Sequence, residues 1–268
     1  MTAGTQSVAR MADNRWVVLL GRIGLISYGI VHLLIAWLAA QVALGTSGGE
    51  EAGKGGALKE LAGSDWGSVL LWVIAVGLFA LALWQLGEAI WGRNAHGGAF
   101  RRVAHVVEAL VWGFLGYSAA KVASGGKSQS NAEQAGLTQK VLDAPAGQIL
   151  VAVLGLAVIG AAGYLVHKGW KARFTRDLDF TGASAATRRT TVRLGKVGYI
   201  AQGISYGIVG ALIVAAAVQH DPDKATGLDT ALATLADQPY GTFLLLAVAL
   251  GLACFGLYCF LDARFRRP

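Results

Sequence analysis

The sequence predicts an all-α, polytopic membrane protein: six transmembrane helices laid out as three parallel two-helix repeats. Three observations predict it. Hydrophobic residues make up 54% of the chain and charged ones 15%, where soluble domains carry about 25% charged residues. The apolar residues are gathered into six long blocks, and the mean hydropathy is +0.51. The chain also overlays on itself at two fixed shifts.

The blocks run over 23–43, 69–89, 103–120, 149–166, 197–218 and 243–261. Each is close to the roughly 20 residues a helix needs to cross a hydrocarbon core of about 30 Å. Inside lipid a single segment satisfies its own backbone hydrogen bonds only as a helix. The first block is too long for the apolar region of a cleaved signal peptide, and it has partners later in the chain, so it counts as a span. Pro145 and Pro239 stand just before the fourth and sixth blocks, where a helix start tolerates proline.

The net charge of +7 is a topology signal here. Of the 23 Lys and Arg, seventeen fall in segments 1–22, 92–102, 167–196 and 264–268, and six fall in the segments between. The positive-inside rule puts the first set in the cytoplasm, with both termini, and predicts a multi-pass membrane protein. Glu50, Glu51, Glu60, Asp65, Glu133, Asp143, Asp221, Asp223, Asp229 and Asp237 favour the opposite face. The basic residues flank apolar blocks and no recognition motif accompanies them, which excludes a nucleic-acid partner. Cys254 and Cys259, five apart in the last block, have neither disulfide nor metal spacing and read as small apolar fillers.

A shift of 174 lays Gly21, Gly24 and Gly29 over Gly195, Gly198 and Gly203, and Ala57, Leu58, Leu61 and Ala62 over Ala231, Leu232, Leu235 and Ala236. A shift of 80 lays Arg22 over Arg102, Gly67 over Gly147 and Trp84 over Tyr164. The chain then divides into a cytoplasmic tail (1–15), repeat 1 (16–92), repeat 2 (99–176), a cytoplasmic linker (177–192) and repeat 3 (193–266). Each repeat holds two spans, so all three point the same way, and a pseudo-threefold axis along the membrane normal is expected. The Ala-Leu…Leu-Ala phrases, with apolar residues at helical spacing, predict short amphipathic helices at the outer interface. Trp66 and Tyr240 suit the headgroup layer.

Gly21-Arg22-Ile23-Gly24, Gly195-Lys196-Val197-Gly198, the outer Ala-Leu…Leu-Ala phrase, Pro145-Ala146-Gly147 and Pro239-Tyr240-Gly241 together resemble a bacterial membrane family, domain of unknown function 1206. In that family the two-helix unit typically occurs three times. The resemblance covers about 16–266; repeat 1 departs from it, with Asp65-Trp66-Gly67 in place of Pro-x-Gly. It implies no activity, substrate or cofactor, so function is argued from residues.

Polar groups inside a membrane are expensive and tend to work. Glu108 lies five residues into the third block; Tyr28 and Gln202 hold its place in the other repeats. Convergence on the axis would make Glu108 a proton-binding carboxylate or a ligand anchor, while interhelical hydrogen bonding is the plainer use. His32, one turn from Tyr28, corresponds to Trp112 and Tyr206, which points to packing; haem usually takes axial ligands from facing helices. Glu88, Lys168 and Asp262 share a position at the cytoplasmic helix ends, either a ring of mixed charge or ordinary interfacial charges. Trp84, Tyr164 and Tyr258, one turn inward, read as an aromatic belt or packing. Segment 174–192 reads as a polar, flexible linker whose Thr187-Arg188-Arg189-Thr190-Thr191 would dock anionic lipid or accept phosphate.

No nucleophile set, paired catalytic carboxylates or metal motif is present, so no catalytic residue is named and the reading leans away from an enzyme. The expected function is a non-enzymatic bundle binding lipid, quinone or a partner membrane protein. One alternative is a small proton-coupled transporter or channel using Glu108; another is a redox subunit, resting on His32. No metal or cofactor is assigned, with haem and quinone left open.

Overall fold

In the computed structural model the chain is described over residues 15–44, 67–91, 99–126, 131–225 and 227–266. Among these residues every regular element is helical: α1 (Arg15–Ala43), α2 (Gly67–Trp91), α3 (Ala99–Ala123), α4 (Asn131–Leu142), α5 (Gly147–Trp170), α6 (Ala185–Gln219), α7 (Leu228–Ala236) and α8 (Gly241–Phe265), with 3-10 turns at Arg173–Asp177 and Pro222–Ala225. Four of them are long and apolar enough to cross a membrane: Gly21–Ala43 of α1, α5, α6 and α8. That is the signature of a multi-pass membrane protein. The apolar part of α2, Leu71–Gly87, is shorter. Arg102, His105, Glu108 and Lys121 interrupt the apolar character of α3.

The chain forms two compact units. One gathers α2, α3, α1 up to Ile30 and α8 from Cys259; the other gathers the rest of α1 and everything from α4 to Tyr258 of α8.

In the first unit, α1 meets α2 where Gly24 leaves no room for a Cβ against Leu81 and the Gly77 carbonyl, and where Gly77 faces Ser27. The Ser27 hydroxyl donates to the Val73 carbonyl at 3.5 Å. α2 then packs on α3, with Gly116 against Phe79 and the Ala75 carbonyl and Gly113 over Ala82.

The second unit repeats both contacts. Gly198 of α6 lies against Phe255 of α8, and Gly251 against Ala201, the α1–α2 pairs shifted by 174. α5 packs on α6 through Gly210 against Ile159 and the Gly155 carbonyl, with Gly207 over Ala162: the α2–α3 pairs shifted by 80 on one helix and 94 on the other. Small residues at these positions let backbones approach where lipid supplies no hydrophobic drive between helices.

The link between the two long helices of a repeat is also built twice. α4 and α7 are the short helices expected from the second and third copies; the first-copy phrase at 57–62, with Trp66, lies outside the described residues. Each ends in a turn, the Gly147 amide donating to Ala144 at 2.9 Å and the Gly241 amide to Gln238 at 2.7 Å. Proline stands second in both turns. A left-handed residue stands third, Ala146 at φ 60° and Tyr240 at φ 63°, as in a type II turn. A Cβ on Gly147 would overlap the Val141 carbonyl oxygen, and one on Gly241 the Ala236 carbonyl oxygen. α4 and α7 fold inward on Leu142, Ala231 and Leu232, all buried, and Leu142 packs with Val151 of α5 and Ala217 of α6.

The segment read as a flexible polar linker is built differently. Phe174 in the 3-10 turn is 1% exposed and Leu178 is equally buried. From Ala185 onward the segment is the start of α6, capped by Ser184, whose Oγ accepts the Thr187 amide at 3.1 Å. The charge of the sequence hid this: seven basic residues between 171 and 196 flank an aromatic ring that one glycine admits. A Cβ on Gly195 would stand 2.5 Å from the Phe174 ring and 2.9 Å from Tyr258.

Candidate functional site

Two adjacent repeat positions carry the polar and aromatic candidates, of which Tyr28, His32 and Gln202 are buried. The first is held by Tyr28, Glu108 and Gln202, the second by His32, Trp112 and Tyr206, one turn further along α1, α3 and α6. In the first unit Tyr28 meets Trp112 edge-on, with ring centroids 4.5 Å apart and an interplanar angle of 74°. In the second unit the Gln202 amide nitrogen lies 3.5 Å from His32 Nε2, the outer limit of a hydrogen bond, with His32 2% and Gln202 3% exposed. These are the same step: the first position of one repeat touches the second position of the next in cyclic order, repeat 1 to 2 and repeat 3 to 1.

An amide nitrogen donates, so in this arrangement His32 Nε2 is the acceptor. The His32 ring centroid lies 4.9 Å from that of Phe255, which continues to Tyr199 at 5.2 Å and Tyr258 at 6.1 Å. Phe174 stacks on Tyr199 at 5.3 Å and meets Tyr258 edge-on at 5.0 Å. This aromatic cluster was invisible in the sequence, because its fifth ring comes from the polar segment and its members share no repeat position. The structure therefore gives His32 a polar neighbour and an aromatic wall. Among the described residues no group of three His, Cys, Asp or Glu side chains gathers as a metal would require.

Glu108 stands differently from Tyr28 and Gln202. Its side chain is 53% exposed, its carboxylate accepts from the Gln85 amide of α2, and His105 Nδ1 lies 3.9 Å away. His105 Nδ1 is 3.1 Å from Gln85 Oε1; an amide oxygen only accepts, so this nitrogen carries a proton. The result is a directed chain, imidazole to amide to carboxylate. Sequence reasoning missed Gln85 because its repeat equivalents are Leu165 and Cys259, so repeat comparison gave it no echo. A polar residue inside the second apolar block was the available signal.

Two of the three helix-end charges have described side chains. Asp262 is buried and accepts from Arg266 Nε at 3.0 Å and Nη2 at 3.2 Å, while that guanidinium lies 5.2 Å from the Trp84 ring. Lys168 Nζ lies 4.7 Å over the Tyr199 ring. Glu88 belongs to α2, and its side chain lies outside the described residues. The aromatic trio splits likewise: Trp84 lies beneath Arg266, Tyr258 is buried in the aromatic cluster and Tyr164 is exposed.

No solved structure matches the chain. An uncharacterised protein of Bacillus subtilis (strain 168), YxxB, is 32% identical over 256 residues, covering 94% of this chain and 92% of its own. The family described as Domain of Unknown Function (DUF1206) matches three times, at 23–92, 103–172 and 197–266. The starts of these matches differ by the same 80 and 174 residues that overlay the glycines, the paired helices and the two turns. The chain belongs to the DUF1206 family and carries its unit in three tandem copies.

Proposed function

We propose that the chain is a six-span bundle of the bacterial plasma membrane, with both termini cytoplasmic and three parallel repeats around a pseudo-threefold axis. Its work is binding in the membrane plane (lipid, quinone or a partner membrane protein) rather than turnover of a substrate. The observation that carries this is the surface of α5. Its span is 17% buried, against 39% to 61% for the other three candidate spans, and Ile149, Leu150, Val153, Leu154 and Leu156 are exposed along it. Large apolar faces beyond what a chain packs on itself mark interaction surfaces, and in a bilayer the partners are acyl chains, an isoprenoid tail or a helix. The repetition of both helix contacts supports the symmetric arrangement. The test is native mass spectrometry of protein extracted gently from its own membrane. A retained lipid, quinone or protein is expected, and a bare chain of 27.9 kDa across several mild detergents would overturn the binding reading.

A second reading has its own observation, the His105–Gln85–Glu108 chain. An intramembrane carboxylate hydrogen-bonded to a protonated imidazole nitrogen through one amide suits a proton-coupled transporter or channel. Proton flux into proteoliposomes is expected to fall at least tenfold in Glu108→Gln, which keeps shape and loses the titration. Unchanged flux would remove this reading.

A further inference from the structure

We propose that the cleft between the 178–183 loop and the first turns of α6 binds the phosphate headgroup of an anionic phospholipid. The proposal rests on the membrane-spanning reading and names the lipid class. The cleft, of 660 Å³, is lined by Arg188, Arg189 and Arg193 over an apolar floor that includes Phe180, Ala185 and Val192. Residues 185, 188, 189, 192 and 193 recur at three- and four-residue spacing, so they form one stripe of α6. The opposite wall is built and tied down. Leu178 anchors it, the Asp179 carboxylate accepts the Thr181 amide at 2.9 Å, the Ala183 amide donates to Phe180 at 3.0 Å, and the Arg188 guanidinium lies 5.9 Å from the Phe180 ring.

Charge selects the ligand. Between residues 171 and 196 there are seven basic side chains (Lys171, Arg173, Arg176, Arg188, Arg189, Arg193, Lys196) and two acidic ones (Asp177, Asp179). Planar guanidinium forks match phosphate oxygens in pairs.

Depth selects a lipid over a soluble phosphate. α6 has 35 residues and is about 52 Å long, well beyond the roughly 30 Å hydrocarbon core. A Cβ on Gly169 would stand 2.9 Å from Tyr199 Cβ and 3.1 Å from the Lys196 carbonyl oxygen, so the exposed Trp170 beside it lies level with 196–199. An exposed tryptophan at a span's end marks the headgroup layer. Arg193 then sits within about 10 Å of that level and Arg189 one turn beyond. Val197, exposed one turn above Arg193 on the same stripe, continues it into the apolar surface. A headgroup in the cleft thus leaves its acyl chains against the span.

The test is native mass spectrometry of the full chain in detergent with an equimolar mixture of phosphatidylglycerol and phosphatidylcholine. Wild type is expected to retain phosphatidylglycerol in preference. The Arg188→Gln, Arg189→Gln, Arg193→Gln triple variant is expected to lose that preference by roughly fivefold per arginine. A control triple, Lys171→Gln, Arg173→Gln, Arg176→Gln, removes the same charge outside the cleft and is expected to keep it. Equal preference in wild type and the cleft variant would overturn the proposal, as would equal loss in both triples. Displacement of phosphatidylglycerol by inorganic phosphate at matched concentration would assign the cleft to free phosphate and overturn the lipid proposal. Should the cleft triple lose helicity by circular dichroism, the three single variants are measured, each expected to lose roughly fivefold. Release of the protein from native membranes by alkaline carbonate would instead defeat the membrane reading, whatever the lipid result.

Discussion

Phe174 lies in the most basic stretch of the chain and yet is among its most buried side chains. Truncating it removes a ring packed on Tyr199 and Tyr258, so Phe174→Ala is expected to destabilise the protein by about 3–4 kcal/mol in detergent unfolding. Gly195→Ala puts a methyl 2.5 Å from that ring and is expected to cost about 1–3 kcal/mol. In the Phe174→Ala background the Gly195→Ala cost is expected to shrink, because one of the two colliding rings is gone and only the Tyr258 ring, 2.9 Å from the added Cβ, remains. Additive effects would show that the two do not meet. Asp143 gives the pH dependence at this scale. Its carboxyl is held below the usual carboxylate range first by the Gln139 amide and then by His220, whose Nε2 lies 3.2 Å away. A depressed folded value means that the stabilisation is complete above the ordinary carboxylate range and is lost as pH falls through the folded value. Wild type is therefore expected to be more stable than Asp143→Asn at pH 6, with the gap closing as pH falls below the ordinary carboxylate range; a gap that persists at full protonation would contradict this assignment. Apart from Gln139, an i,i+4 neighbour of Asp143, none of these partners was readable in advance, because each lies far along the chain from the residue it acts on.

At the scale of elements, the long helices and the starts of the second helix in each repeat were legible. The glycine at equal spacing in each repeat opens α2, α5 and α8, as the register of 46 residues between Gly21 and Gly67 and between Gly195 and Gly241 requires. The turn before it explains why two neighbours respond oppositely to substitution. Gly147→Ala collides with the Val141 carbonyl and is expected to cost about 1–3 kcal/mol. Ala146→Gly relieves a left-handed residue and is expected to change stability by less than about 1 kcal/mol, in the favourable direction. Between α5 and α6 the sequence offered several glycines and could not rank them. Gly210 has backbone and Ile159 within 3.0 Å of a Cβ, whereas the nearest atom to Gly207 is 3.8 Å away. Gly210→Ala is thus expected to separate the helices and lower the melting temperature, while Gly207→Ala is neutral or stabilising through helix propensity; equal effects would refute the ranking. The 174–192 segment was misread at this scale because polarity per residue is averaged over a window, and one buried ring does not shift the average.

For the whole molecule the expectation is a single-sided arrangement of termini. Cysteines placed at Ser184 and Asp237 in a chain lacking Cys254 and Cys259 are expected to label from opposite sides of sealed vesicles, the first from the side of both termini. Labelling from one side only would overturn the six-span reading. Repeat number, repeat register and the four apolar blocks that form helices long enough to cross a membrane were legible in the sequence alone. They are properties of spacing and composition, which every copy shows without reference to its neighbours. Only the tertiary structure decided which equivalents do equivalent work. Tyr28 and Gln202 take the same step onto Trp112 and His32, while Glu108 is drawn to Gln85 and Asp262 to Arg266. The physical reason is that a repeat fixes where a side chain emerges, whereas its hydrogen-bond partner depends on residues, Gln85 for Glu108 and Arg266 for Asp262, that the other copies do not carry.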